Sequence, residues 1–181
     1  MSSSDYFALL GLPRRFAVDR AELERRYLER SRAVHPDRAP AEERTGAAGQ
    51  AMELNQAYRA LKRDLPRAEH LLALEGVTIG DNQPVAPELL AEMLELREQL
   101  DEAKQAGDRA LLDRLERAAR ERQRAELGEL AAEFAALESQ AAGPERADRL
   151  QAVVDRVIRL RYLARYRDAF EDEDDAQEGA A

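Results

Sequence analysis

Proline and glycine fall in a few tight bunches along this chain, and between the bunches apolar residues recur at helical spacing. A 3.6-residue period marks amphipathic helix, and no stretch alternates apolar and polar residues over the length of a strand. A sandwich or barrel needs turn residues at short regular intervals. Seven Pro and nine Gly, clustered as they are here, cannot supply them. The chain is expected to be all-α.

The punctuation sets the order of helices. Ser4 or Asp5 can cap a short first helix that ends at Gly11-Leu12-Pro13. Asp19 can cap the second, with Glu22 three residues on, in the manner of a capping box. That helix is expected to reach Val34, because a residue preceding proline, here Pro36, disfavours helical backbone. A third helix is expected over about 42–64, with Leu54, Tyr58 and Leu61 on one face and a break at Leu65-Pro66; Arg67 to Leu74 adds a further short helix. The densest run of breakers follows, with Gly76, Gly80, Asp81, Asn82 and Pro84 inside residues 76–86, and it reads as a domain boundary. Beyond it lie helical segments over 87–106, 108–139 and 144–170, with Pro87 at a first helical position and Gly107 and Gly143 as separators. Breaks that short fold neighbouring helices antiparallel, into a three-helix bundle. The expected organisation is a first domain over 1–75, a linker over 76–86, a bundle over 87–170 and a tail over 171–181.

Charge and composition exclude several function classes. The chain has no Cys and only His35 and His70, so thiolate zinc sites, chain-held iron–sulfur clusters and Cys nucleophiles are out, and no metal site is expected. No pair of carboxylates is fixed by a motif, and no phosphate loop or nucleophile–base order appears, so no enzymatic activity or cofactor is expected. The formal net charge is −9, and residues 171–181 alone hold six acids and no base. Nucleic-acid binding rests on neutralising phosphates. The Arg-rich stretch from Arg114 to Arg124 is interrupted by Glu116 and Glu121, so no nucleic acid is expected as a partner. The tail has too little apolar surface to offset its ordering entropy and is expected to be disordered. No run is long and apolar enough for a membrane span, and the start lacks the pattern of a signal peptide, which predicts a cytoplasmic chain with no membrane partner.

One loop tripeptide stands out, His35-Pro36-Asp37, between two amphipathic helices. Ahead of it lies Asp5-Tyr6-Phe7-Ala8-Leu9-Leu10-Gly11-Leu12, and behind it Glu53-Leu54-Asn55-Gln56-Ala57-Tyr58. In that order and at that spacing, residues 4–75 resemble the J-domain of DnaJ-type co-chaperones. The resemblance implies that His35, Pro36 and Asp37 stimulate ATP hydrolysis by a DnaK-class chaperone. It also implies that a basic face of the preceding helix, best represented by Arg25, Arg30 and Arg32, meets an acidic surface on that chaperone. Here the face is thin, since Glu24, Leu28 and Glu29 stand where many relatives carry bases. Val34 replaces the usual aromatic residue before the tripeptide, and Arg38 the usual Lys.

The rest of the chain narrows the resemblance. No Gly/Phe-rich or Cys-bearing region follows, whereas Leu65-Pro-Arg-Ala-Glu-His-Leu-Leu72 and Leu94-Glu-Leu-Arg-Glu-Gln-Leu-Asp-Glu102 are similar to the HscB family of iron–sulfur cluster biogenesis. The resemblance implies an HscA-type chaperone for the J-domain and an IscU-type cluster scaffold for the bundle, with the cluster carried by the client. Helical phase points the same way. Leu89, Met93, Leu96, Leu100 and Ala103 fall on one face as a core stripe, while Leu90 and Leu94 point away beside Glu95, Glu98 and Glu102. Tyr162 lies opposite Val153, Val157 and Leu160 on the last helix. The resemblance assigns scaffold contact to Leu90, Leu94, Glu95, Glu98, Glu102 and Tyr162. A J-domain protein serving another client, and a helical adaptor whose tripeptide is an ordinary turn, remain the alternative readings. His70 is expected only to pack or to cap a helix end.

Overall fold

A computed structural model of the chain describes residues 4–34, 44–80, 83–140 and 142–171. Seven helices account for most of them, and no strand occurs among the described residues: α1 (Tyr6–Leu10), α2 (Arg20–Ala33), α3 (Arg44–Lys62), α4 (Asp64–Leu74), α5 (Pro87–Ala106), α6 (Arg109–Ser139) and α7 (Pro144–Glu171). They form two compact units, residues 1–78 and 79–181.

In the first unit, α1 packs on α3, and α2 packs on both. The apolar positions that periodicity selected fill its core, with Phe7, Leu10, Leu23, Leu54, Ala57, Leu61, Ala68 and Leu72 buried. Gly11 closes α1 in the left-handed region at φ 67°, its N–H bonding to Ala8 O. A Cβ there would stand 2.6 Å from the tip of the exposed Arg30 side chain, which can swing aside, so it is the left-handed backbone that asks for glycine.

The break between α3 and α4 differs from the expected one. It falls at Arg63, which is extended at φ −106°, ψ 136°, and Pro66 lies inside the first turn of α4. Proline breaks a helix by lacking an N–H, but first-turn N–H groups have no intrahelical acceptor, so there Pro66 does no harm. Arg67 seals the corner. Its buried guanidinium donates to the Leu61 carbonyl at 2.7 Å, near the end of α3, pairs with Asp64, and stacks over the Phe16 ring at 4.7 Å.

The second unit is an up-down-up bundle. Gln123–Arg167, Glu126–Arg156 and Glu133–Arg149 run in opposite sequence directions, so α6 and α7 are antiparallel. Its core is aliphatic with two ring contributors, burying Leu89, Leu100, Leu130, Phe134, Val153, Val157, Leu160, Leu163 and Tyr166. Gly107, at φ 63°, makes the α5–α6 turn, and Asp108 caps α6 through the Leu111 N–H. In the first unit the Val77 N–H closes on Leu72 O, and in the second Ile79 O accepts from Arg161.

Candidate functional site

Within the first unit, the aromatic opening is latched to α4. Asp5 caps α1, one oxygen accepting from the Phe7 and Ala8 N–H groups at 3.0 and 3.2 Å and the other pairing with Arg14 at 2.7 Å. Burial pushes the Asp5 carboxyl up, but the Arg14 hydrogen bond and the two amides together hold it below the ordinary carboxylate range. His70 Nε2 accepts the Tyr6 N–H at 3.0 Å, and its ring stacks on Tyr6 at 4.1 Å. Accepting there requires the neutral ring, with the proton on Nδ1. Burial, with some help from Arg14 and against Asp5, lowers the His70 pKa accordingly. His70 therefore caps a helix end, although the helix is one 64 residues away.

The segment Asn55-Gln-Ala-Tyr58 has a structural task. Tyr27 on α2 donates to Asn55 Oδ1 at 2.6 Å and stacks on Tyr58 at 4.2 Å. Those two contacts fix α2 against α3, and so fix the two helices that enter and leave residues 35–43. The tripeptide His35, Pro36 and Asp37 itself lies outside the described residues.

On α2, the three arginines singled out by sequence fare differently. Arg25 is exposed but held by Glu22 at 2.7 Å and by Glu29 at 3.5 Å. Glu22 also accepts from Arg26 at 2.8 Å, and these two guanidiniums lower its pKa to about 2. Arg30 is exposed beside Gly11, and Arg32 is exposed near the end of the helix. Leu28, 46% exposed, lies among them. The thin positive face is thus thinner still. Spacing carried that signal, because carboxylates three or four residues from an arginine on one helix meet it.

In the second unit, α5 presents the expected row. Leu90 and Leu94 are 46% and 60% exposed, Glu95, Glu98 and Glu102 are exposed, and Leu89, Leu100 and Ala103 are buried. Residues four apart share a face, so Leu90, Leu94, Glu98 and Glu102 form one continuous ridge. Met93 and Leu96 are only partly buried, so the core stripe is shallower in the middle of the helix. Tyr162 departs from expectation. It is partly buried, with the Arg165 guanidinium over its ring at 5.1 Å. Such a cation covers an aromatic face while its own charge stays in water. The Glu92–Arg159 pair at 2.7 Å sets Tyr162 one turn further along α7, level with the middle of α5.

Sequence reasoning missed the ion-pair network beside this row. Glu92 on α5 pairs with Arg122 on α6 and Arg159 on α7, and Glu126 on α6 reaches Arg156 at 2.8 Å and Arg159 at 3.6 Å. Partners 30 and 67 residues apart leave no local spacing signal. Among the described residues there is no His/Cys/Asp/Glu group that could hold a metal ion, and no helix is long and apolar enough to cross a membrane.

Two family models meet on this chain. That of the DnaJ domain matches residues 5–70, and that of the HSCB C-terminal oligomerisation domain matches residues 85–171. The chain belongs to the HscB family of J-domain co-chaperones. Among HscB relatives, Co-chaperone protein HscB of Proteus mirabilis and the HscB homolog of Aromatoleum aromaticum are each 42% identical over 109 residues, 58% of this chain. Those alignments span 63% and 62% of the relatives' own length. The fold agrees with Chaperone HscB from Vibrio cholerae, with a TM-score of 0.78 at 29% identity over 96% of this chain and 99% of that one. Human co-chaperone protein HscB shares the fold with a TM-score of 0.81 at 24% identity, over 96% of this chain and 84% of its own.

Proposed function

We propose that this chain is a cytoplasmic co-chaperone that couples two partners and catalyses no step itself. Its J-domain stimulates the ATPase of an HscA/DnaK-class chaperone through His35, Pro36 and Asp37, with the exposed Arg25, Arg30 and Arg32 of α2 as the cations that meet it. Its bundle delivers an IscU-type iron–sulfur scaffold to that chaperone, and so serves iron–sulfur protein maturation. The observation that carries the reading is the union, in one chain, of a J-domain unit with a bundle whose α5 exposes Leu90 and Leu94 at the head of an acidic ridge. An apolar pair rimmed by carboxylates is the surface a partner would cover, with Glu95, Glu98 and Glu102 setting orientation. Tyr162, already half covered by Arg165, supplies a ring that exchanges one neighbour for another.

A steady-state ATPase assay with the cognate chaperone tests the reading. The intact chain should stimulate turnover, more so with scaffold present. His35→Gln and Asp37→Asn should each lose the stimulation while helix content stays unchanged. Full stimulation by both variants would remove the J-domain assignment of function. Capture of scaffold by a Leu90→Ala, Leu94→Ala chain at undiminished affinity would remove the assignment of the bundle.

A further inference from the structure

Most arginines of α7 are committed to an acceptor. Arg149, Arg156 and Arg159 each meet a glutamate, Arg161 donates to the Ile79 carbonyl, and Arg167 donates to Gln123. Arg165 is different. It is exposed, its guanidinium lies 5.1 Å over the Tyr162 ring, and it has no carboxylate partner among the described residues. Asp168 stands three residues further on, at the spacing where helix ion pairs form, and the guanidinium still takes the ring.

The register of two helices shows where that cation sits. In the up-down-up bundle α5 and α7 are parallel, and the Glu92–Arg159 pair and the hydrogen bond from Lys104 to the Ala169 carbonyl keep them in step. An equal rise per residue on both helices sets Tyr162 level with Glu95 and Arg165 level with Glu98. At about 100° per residue, the order around α5 leading away from α7 is Lys104, Leu90, Leu94, Glu98, Glu102, Glu95. Lys104 marks the α7 side, because it reaches Ala169 there. The exposed Leu90 and Leu94 therefore lie between two edges of opposite sign, with carboxylates on the outer edge and Arg165 on the α7 edge at the height of Glu98. Arg97 also falls on the α7 side of the leucines, but Asp101 holds it at 3.2 Å.

We propose that Arg165 is a specificity-determining residue of the scaffold site, turning off Tyr162 to pair with a carboxylate on the docked scaffold. The proposal rests on the reading of the bundle as the scaffold-binding unit, and it adds the charge pattern of the surface that binds. That surface has an apolar centre over Leu90, Leu94 and Tyr162, bases toward Glu98 and Glu102, and an acid toward Arg165. An exposed guanidinium–ring contact is weak beside a charge-assisted hydrogen bond to a carboxylate, so the exchange favours the pair once the scaffold excludes water. The ring that Arg165 leaves then closes on the apolar centre. A scaffold surface docked the other way round would set acid against Glu98 and base against Arg165, so the pair selects one orientation.

Calorimetric titration of the full-length chain with the cognate IscU-type scaffold, in low and in high salt, tests the pairing. Arg165→Gln removes the charge and should weaken binding about fivefold or more in low salt. The loss should be much smaller in high salt, where the charge is screened in the parent chain too. Arg165→Lys should recover most of the affinity, and Arg165→Glu should lose about tenfold or more. Undiminished or tighter binding by Arg165→Gln overturns the proposal, because the guanidinium would then be only a cover for the ring. So does a loss of the same size at both salt concentrations, since Arg165 would then act through its packing on Tyr162. Leu94→Ala separates the two readings. If it weakens binding while Arg165→Gln does not, the scaffold surface stands and the pairing falls. If both variants bind as the parent does, the surface is misplaced and the pairing falls with it.

Discussion

The two units solve the same problem by different means. The first has short helices, α1 of only five residues, and is held by point latches between side chain and backbone: Asp5 on the Phe7 and Ala8 amides, His70 on the Tyr6 amide, Arg67 on the Leu61 carbonyl. The second has helices of 20, 31 and 28 residues, a continuous aliphatic core, and guanidinium–carboxylate pairs laid across the helix seams. A latch is one directional bond, and losing it leaves a backbone group without its partner; a long seam spreads its stabilisation over many contacts. The first unit should therefore be sensitive at a few named atoms, and the second sensitive to volume.

The largest expected loss tests the volume half of that contrast. Leu130→Ala, at a fully buried position of the bundle, should cost about 2–5 kcal/mol. Leu90→Ala with Leu94→Ala should cost less than about 0.5 kcal/mol each, because exposed positions carry little packing. Chemical denaturation of the variants makes the comparison. A large loss at Leu94 would mean that the ridge on α5 belongs to the core. Under the proposed function, the same double variant should weaken scaffold binding by about 2 kcal/mol or more, as truncated interface anchors do.

The next expected effect concerns a latch. His70→Ala should cost about 1–3 kcal/mol, since it leaves the Tyr6 amide without its acceptor. The pH dependence has a fixed sign. Burial depresses the His70 pKa below its ordinary 6.5, so the folded first unit resists protonation there. Its contribution is complete above about 6.5 and is lost as pH falls toward the lower folded value. Asp5, whose folded pKa is also lowered, acts in a more acidic window: its contribution is present above the ordinary carboxylate range and is lost as pH falls below it. The hydrogen-exchange protection of the Tyr6 amide, corrected for the intrinsic pH dependence of exchange, should fall as pH is lowered through the folded value, and constant protection would contradict the capping role. The smallest effect belongs to the seams. Glu92→Gln should cost about 1 kcal/mol or less and lose even that in high salt, because partly exposed ion pairs are screened. An equal cost in low and high salt would mean that Glu92 acts through packing.

What was legible in the sequence follows from the range over which each signal acts. Helix order, the caps at Asp5 and Asp19, and the stops at Gly11 and Gly107 are local, and all were readable. Pro66 was misplaced because proline serves equally as a breaker and as a first-turn residue, and only the extended backbone at Arg63 decides between them. Arg25 was readable and overlooked as a neutralised charge, since Glu22 stands three residues before it. The α5 row was legible because phase alone separates Leu90 and Leu94 from Leu89 and Leu100. Tyr162 was not, because phase on its own helix says nothing of the Arg165 above the ring. The Glu92 network and the His70 latch join residues far apart in the chain, where no periodicity reaches.

The stacking of Tyr6 on His70 and of Tyr27 on Tyr58 also gives the molecule an optical character. The chain has no tryptophan and five tyrosines, three in the first unit and two in the second, so its ultraviolet emission is tyrosine emission throughout. Tyr6 emits against an imidazole whose charge changes as the latch opens, while Tyr162 and Tyr166 have no histidine beside them among the described residues. A mildly acidic titration should therefore change the fluorescence of one half of the protein and leave the other half as an internal reference. No dye or engineered reporter is needed to watch α1 let go.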